Sequence, residues 1–377
     1  MELAGTWRKV MPFMAMIFLQ FGYAGMLLVS VASLRQGMSH YVLVVYRNGV
    51  AAIVMAPFAL WFERKTRPKM TISVFLKIVA LGLLEPVLDQ NFFYMGANNT
   101  SASFSSALTN ILPAVTFVNA IILRMERIKI KERRSLAKIA GTAITVCGAL
   151  LMILVKGPIV MFPWSKHVSQ AVSDSSVHNS GHWLLGIIMI LLSCFSWSGF
   201  FILQSHTLKS YPTELSLTTL ICALGAAQSA AVALVMEHDM KAWSIGFDMR
   251  LFTAVYSGVM CSGVAYYVQG IVIKERGPVF VTAFSPLCMI IVTILGSVIL
   301  SEVIKLGRLI GAIIIVVGLY ALIWGKNTDH VNQIDKENNF DKQKQAFELP
   351  LSCADTNKSK NHGNSVATKA AKVEGII

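Results

Sequence analysis

Residues 136–155 read LAKIAGTAITVCGALLMILV, and residues 307–324 read GRLIGAIIIVVGLYALIW. Both stretches are apolar and close to the ~20 residues that a helix needs to cross the ~30 Å hydrocarbon core of a membrane. A shift of 170 residues superposes Gly141 on Gly311 and Gly148 on Gly318. Glycines seven residues apart share a helix face, and small residues on such a face allow close packing of membrane helices. The later stretch therefore looks like a faint copy of the earlier one.

Working outward from these two stretches, each closes a series of five apolar segments. The ten predicted spans are 10–31, 41–62, 75–95, 102–123, 136–155, 183–203, 215–236, 251–273, 279–300 and 307–324. Because five is odd, a five-helix unit that is copied in tandem enters the membrane in the opposite direction the second time. The sequence therefore predicts an all-α multi-pass membrane protein, with ten transmembrane helices in two inverted five-helix repeats, an architecture typical of secondary transporters.

The distribution of charge sets the expected orientation and argues against a nucleic-acid partner. The chain has 377 residues, a net charge of +13 and only 14% charged residues, whereas soluble domains carry about 25%. With a cytosolic N-terminus, 16 Lys and Arg residues fall in inner loops and seven fall in outer loops. This positive-inside bias predicts that both termini are cytosolic.

The same pattern divides the chain into five parts. These are a cytosolic N-terminus at 1–9, a first repeat at 10–155, an extracytosolic linker loop at 156–182, a second repeat at 183–326 and a cytosolic tail at 327–377. The tail is polar and nearly free of aromatic residues, so we expect it to be disordered.

The third span carries the clearest candidate for a functional site. Glu85 and Asp89 are four residues apart near mid-membrane, so they share a helix face, and Pro86 between them favours a kink. Gln90 and Asn91 follow directly. Ionisable residues at this depth usually face the bundle interior and mark a transport pathway. One of the two carboxyls could bind a proton or a substrate amine. The alternative is that the pair only ties the third span to its neighbours.

Other polar residues fall at similar depth in five further spans, where they serve either as links between helices or as the lining of a shared cavity. Arg47 either reaches the outer interface or binds a substrate carboxylate. The remaining candidates are Gln20, Tyr23, Asn110, Tyr266, Tyr267, Gln269 and Ser285. A lining of neutral amides and hydroxyls suits a small zwitterion.

Several motifs resemble the plant nodulin-type EamA transporters, also called the walls-are-thin-related or usually-multiple-acids-move-in-and-out family, within the drug/metabolite transporter superfamily. The motifs are LQFGYAG at 19–25, RPKMT at 67–71, LLEPVLDQN at 83–91, ALTNILPA at 107–114, GPVFVTAFSP at 277–286 and GLYALIWGK at 318–326. The resemblance implies two EamA repeats and export or bidirectional facilitated movement of amino acids at the plasma membrane. Some relatives instead reside in the vacuolar membrane and carry auxin.

Other classes of protein fit the sequence less well. None of the eight histidines lies deep in a span, and the sequence contains no metalloprotease His-Glu-x-x-His motif, nucleophile elbow or ATP-binding loop. We therefore expect a carrier rather than an enzyme, with no cofactor and no metal, and a small-molecule substrate and lipid as its partners. A homodimer is compatible with the sequence. A non-transporting scaffold would leave the buried acidic pair without a role.

Overall fold

The computed structural model of the protein describes residues 2–100, 108–125, 133–155, 159–160, 180–299, 304–307 and 309–325. The predicted tail at 327–377, and the linker loop except for 159–160 and 180–182, lie outside the described residues. The described part is almost wholly helical. In its first half the elements are α1 (Glu2–Arg35), α2 (His40–Phe62), α3 (Ile72–Gly82), a π-helix (Leu83–Asp89), α4 (Gln90–Asn99), a 3-10 turn (Thr109–Ile111), α5 (Leu112–Ile122) and α6 (Arg133–Leu154).

The second half has a similar order of elements, with an additional 3-10 turn after its second helix. It contains α7 (Ser180–Ser210), α8 (Glu214–Met236), a 3-10 turn (Met240–Trp243), α9 (Met249–Tyr256), a π-helix (Ser257–Val264), α10 (Ala265–Arg276), α11 (Pro278–Ala283), α12 (Ser285–Ile299) and α13 (Leu309–Gly325). Five described helical stretches are long and apolar enough to cross a membrane, namely Val10–Ser30, His40–Phe62, Trp183–Ser210, Glu214–Met236 and Met249–Arg276. Four more are apolar but shorter.

One element departs from the all-helical expectation. Ile159 and Val160 pair antiparallel with Lys305 and Ile304 in a two-stranded ladder of two residues each. The pairing joins the segment after α6 to the segment before α13. Loop segments without helical hydrogen bonds can satisfy their backbone groups in this way, and hydropathy carries no signal for so short a ladder.

The third and eighth predicted spans are each interrupted by a π-helix at a corresponding position. In Leu83–Asp89, Pro86 has no backbone N–H to donate, which explains the wider turn there. The segment Ser257–Val264 lacks a proline but contains Gly258 and Gly263. A Cβ on Gly258 would lie 2.5 Å from the Arg47 carbonyl oxygen, so α2 approaches this segment closely.

The helices α6 and α13, which carry the paired glycines, pack against each other. A Cβ on Gly141 would lie 2.5 Å from the Leu322 amide nitrogen and 2.7 Å from the Gly318 carbonyl oxygen. A Cβ on Gly148 would lie 3.0 Å from the Gly311 carbonyl oxygen. The glycine faces of α6 and α13 therefore allow backbone-to-backbone contact, as their spacing predicts.

Other contacts between helices come in matched pairs, in which corresponding helices of the two halves change places. Helix α2 packs on the second π-helix as α8 packs on the first, α1 packs on α12 as α5 packs on α7, and α2 and α8 pack on each other. One core cluster draws buried side chains from both halves, including Met16, Phe200, Tyr266 and Phe280. The halves are thus interleaved around a shared centre, and the candidate site lies there.

Candidate functional site

A cavity of about 150 Å³ opens between elements of the two halves. It is lined by the first π-helix, by the 3-10 turn Thr109–Ile111 and by α1, α2, α4, α7, α10, α11 and α12. Polar side chains form part of the wall and apolar ones the rest, which is the composition expected of a small-molecule site. The polar lining comprises Gln20, Tyr23, Ser30, Arg47, Glu85, Asp89, Gln90, Tyr94, Thr109, Asn110, Ser193, Gln269 and Ser285.

Arg47 and Glu85 form an ion pair in the cavity wall. The Arg47 Nη2 atom lies 3.8 Å from Glu85 Oε1, and both side chains are buried. Arg47 Nε donates to Ser262 Oγ at 2.7 Å, and Nη2 donates to the Cys261 carbonyl oxygen at 3.4 Å. Arg47 therefore joins the two π-helices from α2. Its burial excludes the alternative that the side chain reaches the outer interface.

The Glu85 carboxylate has a full set of partners besides Arg47. Gln90 Nε2 lies 3.1 Å from each of its oxygens, and the Tyr266 hydroxyl donates to Oε2. Tyr266 comes from α10 and packs against the ring of Phe200, with centroids 5.2 Å apart. A buried carboxylate with this many donors is well stabilised in its place.

Asp89 is the less satisfied member of the acidic pair. It is 8% exposed, and Ser193 Oγ on α7 donates to its Oδ1 atom at 2.5 Å. Among the described residues no Lys or Arg nitrogen forms an ion pair with Asp89. An isolated carboxylate is costly to bury unless a positive group pairs with it or a proton neutralises it. Asp89 is thus the lining group with an unmet demand for positive charge.

Two amide side chains in the lining present acceptors that are not used. Gln269 Nε2 donates to the Tyr23 hydroxyl oxygen at 3.0 Å, which leaves Gln269 Oε1 buried without a partner in the described residues. The Oε1 atom of Gln90 is likewise unpartnered there. Buried polar atoms normally find partners, so these oxygens are available to a bound molecule or to water.

An aromatic wall completes the cavity on the side of α7. The Tyr23 and Trp197 rings meet edge to face with centroids 6.4 Å apart, and Trp197 stacks on Phe201 with centroids 5.8 Å apart. Leu27, Val281, Met289 and other apolar groups continue this surface. The cavity therefore combines charged groups with an aromatic and apolar wall.

Nine of the twelve residues singled out in the sequence line this cavity: Gln20, Tyr23, Arg47, Glu85, Asp89, Gln90, Asn110, Gln269 and Ser285. The other three do not line it. Tyr266 stands behind the wall as a donor to Glu85. Asn91 turns back and donates to the Val87 carbonyl oxygen of the preceding π-helix at 2.6 Å. Tyr267 is half-buried and lies towards Glu214 and Glu63 instead, because adjacent helical residues point in different directions.

The sequence reasoning missed the contribution of the sixth span. Ser193 and Trp197 on α7 both line the cavity, although Ser193 lies at the middle of the predicted span 183–203. The criterion of depth points to Ser193 as well, but Ser285, beside Pro286, was the one serine singled out by it. No group of three or more His, Cys, Asp or Glu side chains within the described ranges could hold a metal ion.

Comparison with known proteins adds three findings. The model of the EamA-like transporter family matches residues 10–154 and again residues 184–324. Two WAT1-related proteins of Arabidopsis thaliana are similar to this chain: one is 54% identical over 333 residues, covering 88% of this chain and 90% of its own length. The other is 55% identical over 332 residues, covering 87% and 86%. A solved crystal structure with 16% identity has a TM-score of 0.60, covering 82% of this chain and 98% of that one, and shows likeness of fold.

Proposed function

Since the chain belongs to the EamA-like transporter family, with close WAT1-related relatives in plants, we propose that it is a secondary carrier of amino acids. It is an integral membrane protein of ten spans in two inverted repeats, at 10–155 and 183–326, joined by the outer loop 156–182. Cytosolic segments at 1–9 and 327–377 lie at the two ends of the chain. It moves its substrate by alternating access, as an exporter or a bidirectional facilitator.

The packing of the helices supports the inverted repeat. Contacts between helices of the two halves have counterparts in which the halves change places, as between α2 and the second π-helix and between α8 and the first. The glycine contact between α6 and α13 is its own counterpart. A pseudo-two-fold axis in the membrane plane produces this pattern.

The unpaired Asp89 is the single observation that carries the substrate class. The lining contains two carboxyls and one guanidinium, Glu85, Asp89 and Arg47, so with both carboxyls ionised the site has one negative charge in excess. The ammonium group of an amino acid would satisfy Asp89, and its carboxylate could accept from the amide nitrogens and hydroxyls of the wall. The apolar wall of the cavity would contact the side chain of the bound amino acid.

The same charge balance disfavours an organic anion such as auxin. The one cation of the described lining, Arg47, is already paired with Glu85, so a lone carboxylate would enter a site of like charge. A zwitterion brings its own positive group. The family resemblance to amino-acid carriers of the plasma membrane points the same way, and the vacuolar membrane with an auxin substrate is the alternative.

The test is counterflow into liposomes that contain the purified protein, with neutral amino acids, auxin and an empty-vesicle control, with and without a pH gradient. We expect uptake of one or more neutral amino acids and none of auxin. Asp89→Asn should reduce amino-acid exchange at least tenfold, since it removes the charge and keeps the shape. Asp248→Asn makes the same change at an exposed helix cap outside the cavity and should leave exchange unchanged. Auxin counterflow without amino-acid counterflow would overturn the proposal.

A further inference from the structure

The equivalent helices α2 and α8 are each followed directly by a glutamate at the C-cap position. Helices α2 and α8 have 23 residues each, and a shift of 174 residues superposes them end to end and places Glu63 on Glu237. In the inverted repeat these helices run antiparallel. Each glutamate therefore lies at the same side of the membrane as the beginning of the other helix. This inference rests on the alternating access of the proposed function.

At the inner side, Glu63 caps α8. Its two carboxylate oxygens accept from the backbone amides of Leu215 and Ser216, at 3.0 and 2.6 Å. The natural N-cap residue, Thr213, makes no side-chain cap hydrogen bond. The Glu63 carboxylate thus replaces the usual cap and also interacts favourably with the positive end of the helix dipole. Arg67 strengthens the junction because its Nε donates to Ser216 Oγ at 3.0 Å.

At the outer side the equivalent contact is not made. The N-cap residue of α2, Ser39, makes no side-chain cap hydrogen bond either. Within the residues that the structure describes, no carboxylate accepts from the amides of Tyr41 and Val42, which correspond to Leu215 and Ser216. Glu237 is nevertheless close enough to act electrostatically on His40 and Tyr41. It is half-buried and accepts at 3.4 Å from the Asp239 amide.

We propose that Glu63 and Glu237 take turns as caps, so that one side of the carrier closes as the other opens. In the present conformation Glu63 holds the inner ends of α2 and α8 together. Exchanging the roles of the two repeats gives the opposite conformation, in which Glu237 accepts from the amides of Tyr41 and Val42 and Glu63 is released. Both residues bias one two-state element, the α2–α8 pair, and Glu237 is a positioning residue for transport.

Hydrogen exchange of the full-length protein tests this without any substrate, so a wrong substrate assignment would not affect the result. Glu63→Ala should speed exchange about fivefold in peptides that cover 213–218, the factor expected for loss of one cap. The same variant should slow exchange in peptides that cover 39–44, because the population moves to the state capped by Glu237. Glu275→Ala, at an exposed inner helix end, is the matched control and should change neither segment.

Glu237→Ala alone should leave both segments unchanged, since Glu237 caps nothing in the present conformation. In the Glu63→Ala background it should abolish the added protection of 39–44. A static cap at Glu63 would give faster exchange at 213–218 and no change at 39–44, and that result would overturn the proposal. Retained protection of 39–44 in the double variant would overturn it as well.

Discussion

Arg47 and Glu85 lie 3.8 Å apart in the wall of the cavity, and both are buried. Arg47 also binds Ser262 and the Cys261 carbonyl of the second half. The pair therefore ties the two π-helices together, whereas the partner that the described residues give Asp89 is the neutral Ser193 hydroxyl. This contrast is the reason that we assign Glu85 a structural role and propose Asp89 as the carboxylate that binds the substrate.

The contrast predicts that Glu85→Gln and Asp89→Asn fail in different ways. Removing one charge of a buried ion pair leaves the other uncompensated, at a cost of about 3–5 kcal/mol. Glu85→Gln should therefore lower the thermal unfolding midpoint of the detergent-solubilised protein. Asp89→Asn should unfold like the parent protein and lose exchange activity. Equal unfolding midpoints for the two variants would contradict this assignment.

Gln269→Leu should weaken substrate binding without harming the fold. The substitution removes an acceptor, Gln269 Oε1, that is buried and unpartnered within the described chain, so we expect the KM for exchange to rise about tenfold. Gln228→Leu is a matched control, because Gln228 also has an unpartnered buried Oε1 but lies outside the cavity and donates to the Val79 carbonyl. An equal change in KM for both variants would argue against a role for Gln269 in binding.

Trp197→Ala should broaden the accepted side chains. The indole forms the aromatic wall between Tyr23 and Phe201. Its removal therefore enlarges the cavity along this wall. Competition counterflow should show bulky neutral amino acids gaining several-fold relative to small ones. Unchanged competition across the series would place the side-chain subsite elsewhere.

Gly141→Ala should reduce stability and abundance. A Cβ there would lie 2.5 Å from a backbone nitrogen of α13, and overpacking of this kind costs about 1–3 kcal/mol. Gly199→Ala offers the comparison, because its Cβ would meet the Leu84 side chain at 3.7 Å, an ordinary contact. Fluorescence-detected size-exclusion chromatography after graded heating measures both variants. Equal heat resistance would show that the helices can separate without loss.

The charge asymmetry predicts the sidedness of the loops. In membrane vesicles of known orientation, a protease or thiol reagent should reach the 156–182 loop from the outer side and the tail after residue 326 from the cytosolic side. Modification of the loop from the cytosol would refute the inverted arrangement.

Much of the architecture could be predicted from the sequence, because hydrophobic segments must satisfy their backbone groups as helices within lipid. The helix α2, His40–Phe62, departs from the predicted span 41–62 by one residue, and α8, Glu214–Met236, departs from 215–236 by one residue. The depth of polar residues also predicted most of the polar side chains in the cavity lining. Depth without direction then failed for Asn91 and Tyr267, since the spans identify height in the membrane and leave rotation about the helix axis open.

The sequence by itself determined the helical class, the bounds of α2 and α8 to within one residue and the two glycine faces, because these depend on local composition and spacing. Only the tertiary structure decided that Arg47 turns inward to Glu85, that Ser193 of the sixth span meets Asp89, and that Glu63 caps a helix about 150 residues away. Each of these contacts joins residues distant in the chain. Their partners are selected by packing between helices, which sequence periodicity does not encode.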